Sequence, residues 1–441
     1  MALEFSDTNS HNFSVFSPDG LMIASAYRQR LVVRKCDTLE QVIVFPCQDH
    51  IQKIEWSPDS KLVLCGCFKR SLVSVVLISD PEWKCRIHDP LASIVNAYWA
   101  PDSRHIITVA DFQLRLTVWS LISRSGQYIP FPKYSNQGVA FSPDGSMLAV
   151  LRREDSKDFL RVFSINSTFE HLFERQLDSS DAADITFTTS GDAIIYWDTE
   201  LGYALSVIAL NGKKIYAVKN EEPGLGIKKV VQKANWIGIG SYSERLVLLN
   251  ADTWQPVVSF PHYSPISDES VSIFEEVYAV PEGVAAEKSL HSASVERTFF
   301  LVQPTPYSLP AVPPDPSKPN PKLGVGSIEF SQDCTFVATR NDNMPNCLWI
   351  WSVDLLKLVS VLVFKSSVRC FRWSPLFNRL AVVTGTFNLF FWDGEGASAV
   401  NIPVAALHPT TLSFSPDGDS ILLADSDKFC LCYLDKEAEE L

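Results

Sequence analysis

The sequence has none of the short signatures that mark common catalytic centres. It contains no HExxH pair, no GxSxG elbow and no phosphate-binding P-loop. The stretch GLGIKK (224–229) lacks the P-loop spacing, and Asp49 beside His50 has no nucleophile motif to serve. The eight histidines are scattered, and the ten cysteines form no CxxC and no set at zinc spacing. Cys65-x-Cys67 and Cys430-x-Cys432 would each place two thiols on one face of a strand, which reads as buried free thiols. No catalytic residue, metal, cofactor or small-molecule substrate is therefore expected.

Long apolar runs are missing too. Stretches such as LVSVVLIS (72–79) fall far short of the ~20 residues that cross a bilayer as a helix, so no membrane insertion is expected. The first ten residues, MALEFSDTNS, have neither a basic start nor an apolar core, and no secretory signal is visible. This predicts a cytosolic or nuclear protein with reduced cysteines, in which the sequons Asn12-Phe13-Ser14 and Asn166-Ser167-Thr168 carry no meaning. Positive charge is scarce: 38 Lys and Arg against 51 Asp and Glu give a formal net charge of −13. That balance argues against nucleic acid and against any acidic polymer surface, except through a local basic patch.

What the chain does contain is repetition. FSPDG occurs at 16–20, 141–145 and 414–418, with variants WSPDS (56–60), WAPDS (99–103), FSQDC (330–334) and WSPLF (373–377). FTTSG (187–191) and a stretch from Val231 keep the same phase. Successive intervals are 40, 43, 42, 46, 44, 99, 43 and 41 residues, all but one near the ~40–45 residue period of WD repeats. The long interval is one period plus an insertion.

Ser-Pro-Asp-Gly suits a type I turn, with proline presetting φ and glycine closing. An aromatic residue ends a strand before each turn, and runs such as LMIASAY or MLAVLR open the next. A third strand follows (RLVVRKC, LRLTVWS, FLRVFSI, CLWIWSV, LFFWD), then a fourth (EQVIVF, WKCRI, KKIYAV, KLVSVLV). Four short strands per repeat make one propeller blade, and nothing shows sustained helical periodicity.

The expected fold class is therefore all-β: a WD40-type β-propeller over 1–441, read as one nine-bladed ring of four-stranded blades. Two smaller rings of four and five blades are the less favoured partition. The last repeat ends at KFCLCYLD (428–435) without a fourth strand, which ALEFS (2–6) at the N-terminus could supply. The insertion after the sixth blade (261–322) holds two strand-like pieces, VSIFEEVYAV and RTFFLVQP, before a proline-rich connector, PTPYSLPAVPPDPSKPNP. Such proline density favours extended polyproline geometry, either as a plain connector or as a ligand for a proline-reading module. Trp-Asp pairs are sparse (Trp392-Asp393, Trp197-Asp198), and the Gly-His dipeptide common in WD repeats is absent. Neither pair continues to the Trp-Asp-x-Arg of ubiquitin-ligase adaptors.

Candidate function then lies in surface turns. YRQR (27–30) and FKR (68–70) fall between the second and third strands of adjacent blades. They would bring Arg28, Arg30, Lys69 and Arg70 together beside Tyr27 and Phe68. That cluster is either a solvated rim or a docking site for an acidic or amphipathic peptide. In the seventh repeat, ATRNDNMPN (338–346) occupies the same position, with Arg340, Asn341, Asp342, Asn343, Pro345 and Asn346. Asn and Asp tolerate left-handed backbone and bond their own chain, so this is a shaped structural turn or a partner contact.

RLVVRKCDTLEQV, IQKIEWSPDSKLVLCGCFKR, PEWKCRI, LRLTVWSL, ATRNDNMPNCLWIWS and DKFCLCYLD closely resemble the WD-repeat protein eight family. The sixth repeat departs from it, with VVQKAN (230–235) where the family tends to keep a Trp-Ser-Pro turn. The resemblance implies a non-catalytic scaffold in the cytoplasm and cytoskeleton, at the centrosome, centriolar satellites or spindle pole. It implies a coiled-coil microtubule-anchoring or centriolar-satellite partner, in fungi together with a minus-end-directed kinesin, and roles in spindle organisation, centrosome maturation and cilium formation. An acidic body would be repelled by acidic tubulin, so anchoring through a partner fits the charge. The alternative expectation is a translation-initiation-factor-like propeller associated with ribosomes.

Overall fold

The computed structural model describes residues 3–89, 92–165, 169–200, 202–219, 225–279, 297–315, 317, 322–404 and 406–434. The sequon at 166–168 lies outside the described residues. The described chain is nearly all strand, arranged in nine antiparallel blades of WD-propeller type. Its only helices are two short 3-10 turns, Phe68–Arg70 and Asp111–Gln113, and no described helix is long and apolar enough to cross a membrane.

The blades fall into two compact units. One comprises Ser10–Ile227 with Ala251–Trp254 and carries blades one to five; the other comprises Met1–Asn9, Lys228–Asn250 and Gln255–Leu441 and carries blades six to nine.

Blade one shows the common pattern. Phe13–Phe16, Met22–Tyr27, Arg30–Lys35 and Gln41–Pro46 pair in order, and the Ser-Pro-Asp-Gly turn joins the first two strands. Ser17 Oγ donates to Asp19 Oδ1 at 2.5 Å and receives Met22 N at 2.9 Å, while Gly20 N closes on Ser17 O at 2.9 Å. In blade four the hydroxyls of Ser142 and Ser146 hold the equivalent Asp144 carboxyl down to about 2. The middle strands lie between neighbouring blades, so several are buried on both faces and read as mostly apolar runs. His105–Ala110 and Leu389–Phe391 are examples, whereas outer strands such as Gln41–Pro46 alternate with solvent.

The aromatic before the turn also ties one blade to the next. Where it is tryptophan, the indole N–H reaches back to the preceding blade: Trp56 to Val15 O at 3.1 Å, Trp99 to Glu55 O at 3.2 Å, and Trp373 to Glu329 O at 3.0 Å. Each such bond contributes about 1 kcal/mol net. The turns themselves are linked: Asp19 N donates to Ser60 Oγ and Asp59 N to Ser103 Oγ, both at 3.1 Å. Ser60 and Ser103 hold left-handed backbone (φ 60° and 57°) where other repeats place glycine.

The sixth blade departs as its sequence foretells. Ile227–Lys233 passes to Trp236–Ser241 through Ala234 and Asn235 alone, with Ala234 left-handed at φ 47°. A tight hairpin thus replaces the Ser-Pro turn.

Leu3–Phe5 pairs antiparallel with Lys428–Leu434, so the N-terminal strand completes the ninth blade, as expected. The insertion does something the repeat pattern does not announce. Ser272–Ala279 and Arg297–Gln303 form a hairpin, and Ser272–Ala279 pairs in parallel with Lys357–Val363, the outer strand of blade seven. That blade becomes a six-stranded sheet. Phe300 packs edge-on against Phe364 and Phe390, which anchors the hairpin to blade eight as well. The tip of the insertion, 280–296, lies outside the described residues.

Candidate partner-binding surfaces

The first candidate surface sits on the turns between second and third strands in blades one and two. In blade one the strands are long enough for a two-residue turn, Arg28-Gln29, with Arg28 at φ 55°. Asn12 Oδ1 accepts Arg28 N at 2.9 Å, and the connection to blade two is laced onto the turn by Cys47 N to Gln29 O (2.7 Å) and Ile51 N to Arg28 O (2.9 Å). The backbone is therefore rigid while the side chains of Tyr27, Arg28 and Arg30 stay exposed. The Arg28 guanidinium lies 5.3 Å from the centre of the Tyr27 ring, within cation–π range. Together with Gln29 and His50 these residues line a hollow of about 600 Å³.

In blade two the turn is a 3-10 turn over Phe68–Arg70, closed by left-handed Ser71. Lys69 and Arg70 are exposed, and Gln52 Oε1 accepts Lys69 N at 2.9 Å. Arg70 Nε pairs with Asp49 Oδ2 at 3.2 Å. Phe68 turns inward: its ring lies over Gly66, where an added Cβ would fall 2.5 Å from the ring, and packs beside Leu64 and Trp99. The structure thus brings Tyr27, Arg28 and Arg30 together, sets Lys69 and Arg70 on the neighbouring blade, and uses Phe68 as packing.

Asp49 meets His50 through the latter's backbone. The Asp49 carboxylate accepts its neighbour's backbone N–H at 2.7 Å, and that bond, with Arg70 opposite, holds it below the usual carboxylate range. The ten cysteines are free. Burial pushes the thiols of Cys347, Cys430 and Cys432 up to about 12, so they stay protonated and inert at neutral pH.

The second candidate surface is the loop 341–346 of blade seven. Asn341 ends its strand with no exposed surface, and its amide nitrogen donates to Glu244 Oε2 at 2.8 Å; Asn343 donates to the same oxygen at 3.0 Å. Asp342 pairs with Lys228 of blade six at 2.7 Å and lies 3.4 Å from Arg340. Arg340 Nη1 donates to Val368 O at 2.8 Å, Pro345 O receives Val368 N at 2.9 Å, and Asn346 Nδ2 donates to Lys365 O at 3.2 Å. These groups clasp blade seven to the residues that lead into blade eight, while Arg340 Nε, Asn341 Oδ1 and Asn343 Oδ1 stay buried without a hydrogen-bond partner. One flank stays open: Arg340, Asp342 and Pro345 share a groove of about 550 Å³ with Arg369, Lys322 and Val312–Asp315 of the proline-rich connector.

One network escapes the sequence patterns. His262, following a proline and not a glycine, is buried between Trp349 and Trp351. Trp351 Nε1 donates to Thr339 Oγ1 at 2.9 Å, Thr339 and His262 Nε2 share a hydrogen at 2.7 Å, and His262 Nδ1 faces Glu244 O at 3.2 Å. A neutral imidazole satisfies every partner, and burial pushes its pKa down to about 3. Pro-His at the start of the connection was the available signal.

Four-stranded blades laced turn to turn, with one geometry repeated inside and polar loops outside, define a WD-type β-propeller. The chain is 36% identical over 430 residues to the mouse WD repeat-containing protein WRAP73, spanning 95% of this chain and 93% of that protein. It is 25% identical over 472 residues to an uncharacterised WD repeat-containing protein of Schizosaccharomyces pombe, spanning 97% of this chain and 91% of that one. No protein-family model matches. Among solved structures, the Dos1 propeller matches with a TM-score of 0.54 at 12% identity, over 86% of this chain and 90% of that one, a likeness of fold alone. The chain belongs to the family of the WD repeat-containing protein WRAP73.

Proposed function

We propose that the protein is a non-catalytic interaction scaffold at the centrosome, centriolar satellites or spindle pole. It holds a coiled-coil microtubule-anchoring partner, with a minus-end-directed kinesin joining that assembly where one is present, and so organises microtubule minus ends, the spindle and cilium formation. The observation that carries the scaffold reading is 36% identity to a WD-repeat relative over 95% of this chain. The exposed Arg28, Arg30, Lys69 and Arg70 support a docking role, because they gather positive charge on a chain of net charge −13. The described residues hold no group of three His, Cys, Asp or Glu able to bind a metal ion.

Affinity purification with mass spectrometry tests the reading, comparing wild type with a variant in which these four residues are changed to Glu. The expected result is recovery of a coiled-coil protein by wild type and its loss in the variant. Unchanged recovery removes the basic cluster from the interface. A diffuse cytosolic signal throughout the cell cycle, or co-sedimentation with ribosomes, overturns the scaffold assignment.

A further inference from the structure

The two-residue turn of blade one collects hydrogen-bond donors. Tyr-Arg-Gln-Arg over 27–30 sets a phenol, two guanidinium groups and an amide on four successive residues. His50, on the connection to blade two, completes the hollow of about 600 Å³ that they line. Every lining side chain carries an N–H or O–H donor, and no carboxylate is among them. All five residues are exposed.

The backbone beneath them is committed elsewhere. Asn12 Oδ1 accepts Arg28 N at 2.9 Å, while Arg28 O receives Ile51 N at 2.9 Å and Gln29 O receives Cys47 N at 2.7 Å. The bond from Ile51 also sets its neighbour His50 against the turn. Side chains are left to meet a ligand, and the Tyr27 ring, 5.3 Å from the Arg28 guanidinium, steadies one of them.

The charge stays positive when carboxylates are counted. Among the described residues neither Arg28 nor Arg30 has a carboxylate partner. On the turns 27–30, 47–52 and 68–71 the acidic residue is Asp49, against Arg28, Arg30, Lys69 and Arg70. Asp49 does not line the hollow, and its two oxygens are taken by His50 N at 2.7 Å and Arg70 Nε at 3.2 Å. The groove beside the proline-rich connector differs, because Asp315 and Asp342 stand there among the cations.

A hollow walled by donors and free of carboxylates suits a compact oxyanion. A phosphate monoester brings three acceptor oxygens and a charge of about −2, and arginine forks grip it with paired bonds. A carboxylate brings two oxygens and a single charge. The ring of a phosphotyrosine would want apolar walls, whereas the side chains here are polar apart from the Tyr27 ring. We propose that this hollow receives a phosphorylated serine or threonine of a partner protein, gripped by Arg28 and Arg30, with Tyr27, Gln29 and His50 as further donors. This rests on the docking role proposed above and names what the partner brings to it.

The test is retention of degenerate peptide libraries on the immobilised full-length protein. The libraries share randomised flanks and differ at the central residue: phosphorylated serine and threonine, the same residues unmodified, or aspartate. The phosphorylated library is expected to be retained, the aspartate library about tenfold less, and the unmodified one at background. Arg28→Lys with Arg30→Lys keeps the charge but gives up the forked donors. That variant is expected to retain about tenfold less of the phosphorylated library at an unchanged melting temperature, since both side chains are exposed. The proposal is overturned if aspartate serves as well as phosphate, or if the lysine variant retains the library undiminished. It also falls if no library is retained, and capture by phosphoinositide vesicles would then assign the hollow to a membrane surface. Failure here with coiled-coil recovery intact in cells removes the phosphate alone, whereas loss of that recovery from wild type removes the scaffold reading.

Discussion

The carboxylate oxygen Oε2 of Glu244 lies 2.8 Å from the side-chain nitrogen of Asn341, a residue with no exposed surface. Glu244 belongs to the left-handed turn of blade six (φ 61°), and its backbone oxygen also receives His262 N at 3.0 Å. One residue thus ties blade six to the polar loop of blade seven. Glu244→Ala is expected to cost about 2–3 kcal/mol, because it strands the buried Asn341 amide as well as removing a charge-assisted bond. Urea unfolding measures it, and a cost below about 0.5 kcal/mol would show the loop holds itself.

Lys133 is a buried cation of blade four. Its ammonium lies 2.8 Å from Asp158, 2.7 Å from Asp181 and 2.7 Å from Ala182 O, and Asp158 is as buried as the lysine. Lys133→Ala should destabilise by about 3 kcal/mol, the lower end for breaking a buried pair, since Arg153 also reaches both carboxylates. Adding Asp158→Asn should recover part of that loss in a double-mutant cycle.

His262 makes stability depend on pH. Its pKa is about 3 when folded, against 6.5 when unfolded, so below 6.5 the unfolded chain takes up a proton that the folded one refuses. The contribution is fully present above pH 6.5 and is lost as pH falls toward 3, at about 1.4 kcal/mol per pH unit. Wild type should show this extra slope between pH 6 and about 4 in thermal melts. His262→Gln should remove it, and parallel curves for the two proteins would refute the assignment.

The repeated turns make opposite demands at equivalent positions. Gly145, at φ 70°, would place a Cβ 2.9 Å from the Cβ of Pro101 in the preceding turn. Gly145→Ala should therefore cost about 1–3 kcal/mol. Ser103→Gly gives up the bond to Asp59 N but relaxes φ 57°, so it should lie within about 1 kcal/mol of wild type. Unfolding midpoints measured side by side decide between them.

Much of this architecture is legible in residue order because each blade repeats one chemical device. The Trp56–Ser60 type of turn, its spacing and the alternating outer strands all follow from local rules. The parallel pairing of Ser272–Ala279 with Lys357–Val363 does not, since it joins residues such as Ser272 and Ser360, 88 apart, and depends on which sheet edge lies within reach. The candidate surfaces were legible as turns, and their side-chain directions were not. Phe68 folds inward because Gly66, near the end of the strand before the turn, leaves room for its ring. Arg28 stays outward because Asn12 and the connection at Cys47–Ile51 fix its backbone from the other side. His262 was hidden by the residue before it, since the dipeptide is Pro-His and not Gly-His, and only the fold brings the imidazole to Thr339, which also bonds Trp351.

The N-terminal strand gives the protein a birth order. Ser6 Oγ accepts Leu431 N across 425 residues of sequence, and Leu3–Phe5 pairs only with Lys428–Leu434. A ribosome makes the two halves of that joint 425 residues apart, the first long before the second. Throughout synthesis the early strand has no mate, and the ninth blade stays one strand short until the late one emerges. Contacts this distant in sequence form slowly and leave edges open meanwhile. A bulky insertion just before Leu3–Phe5 would therefore burden the late closing of this blade more than the stability of the finished fold.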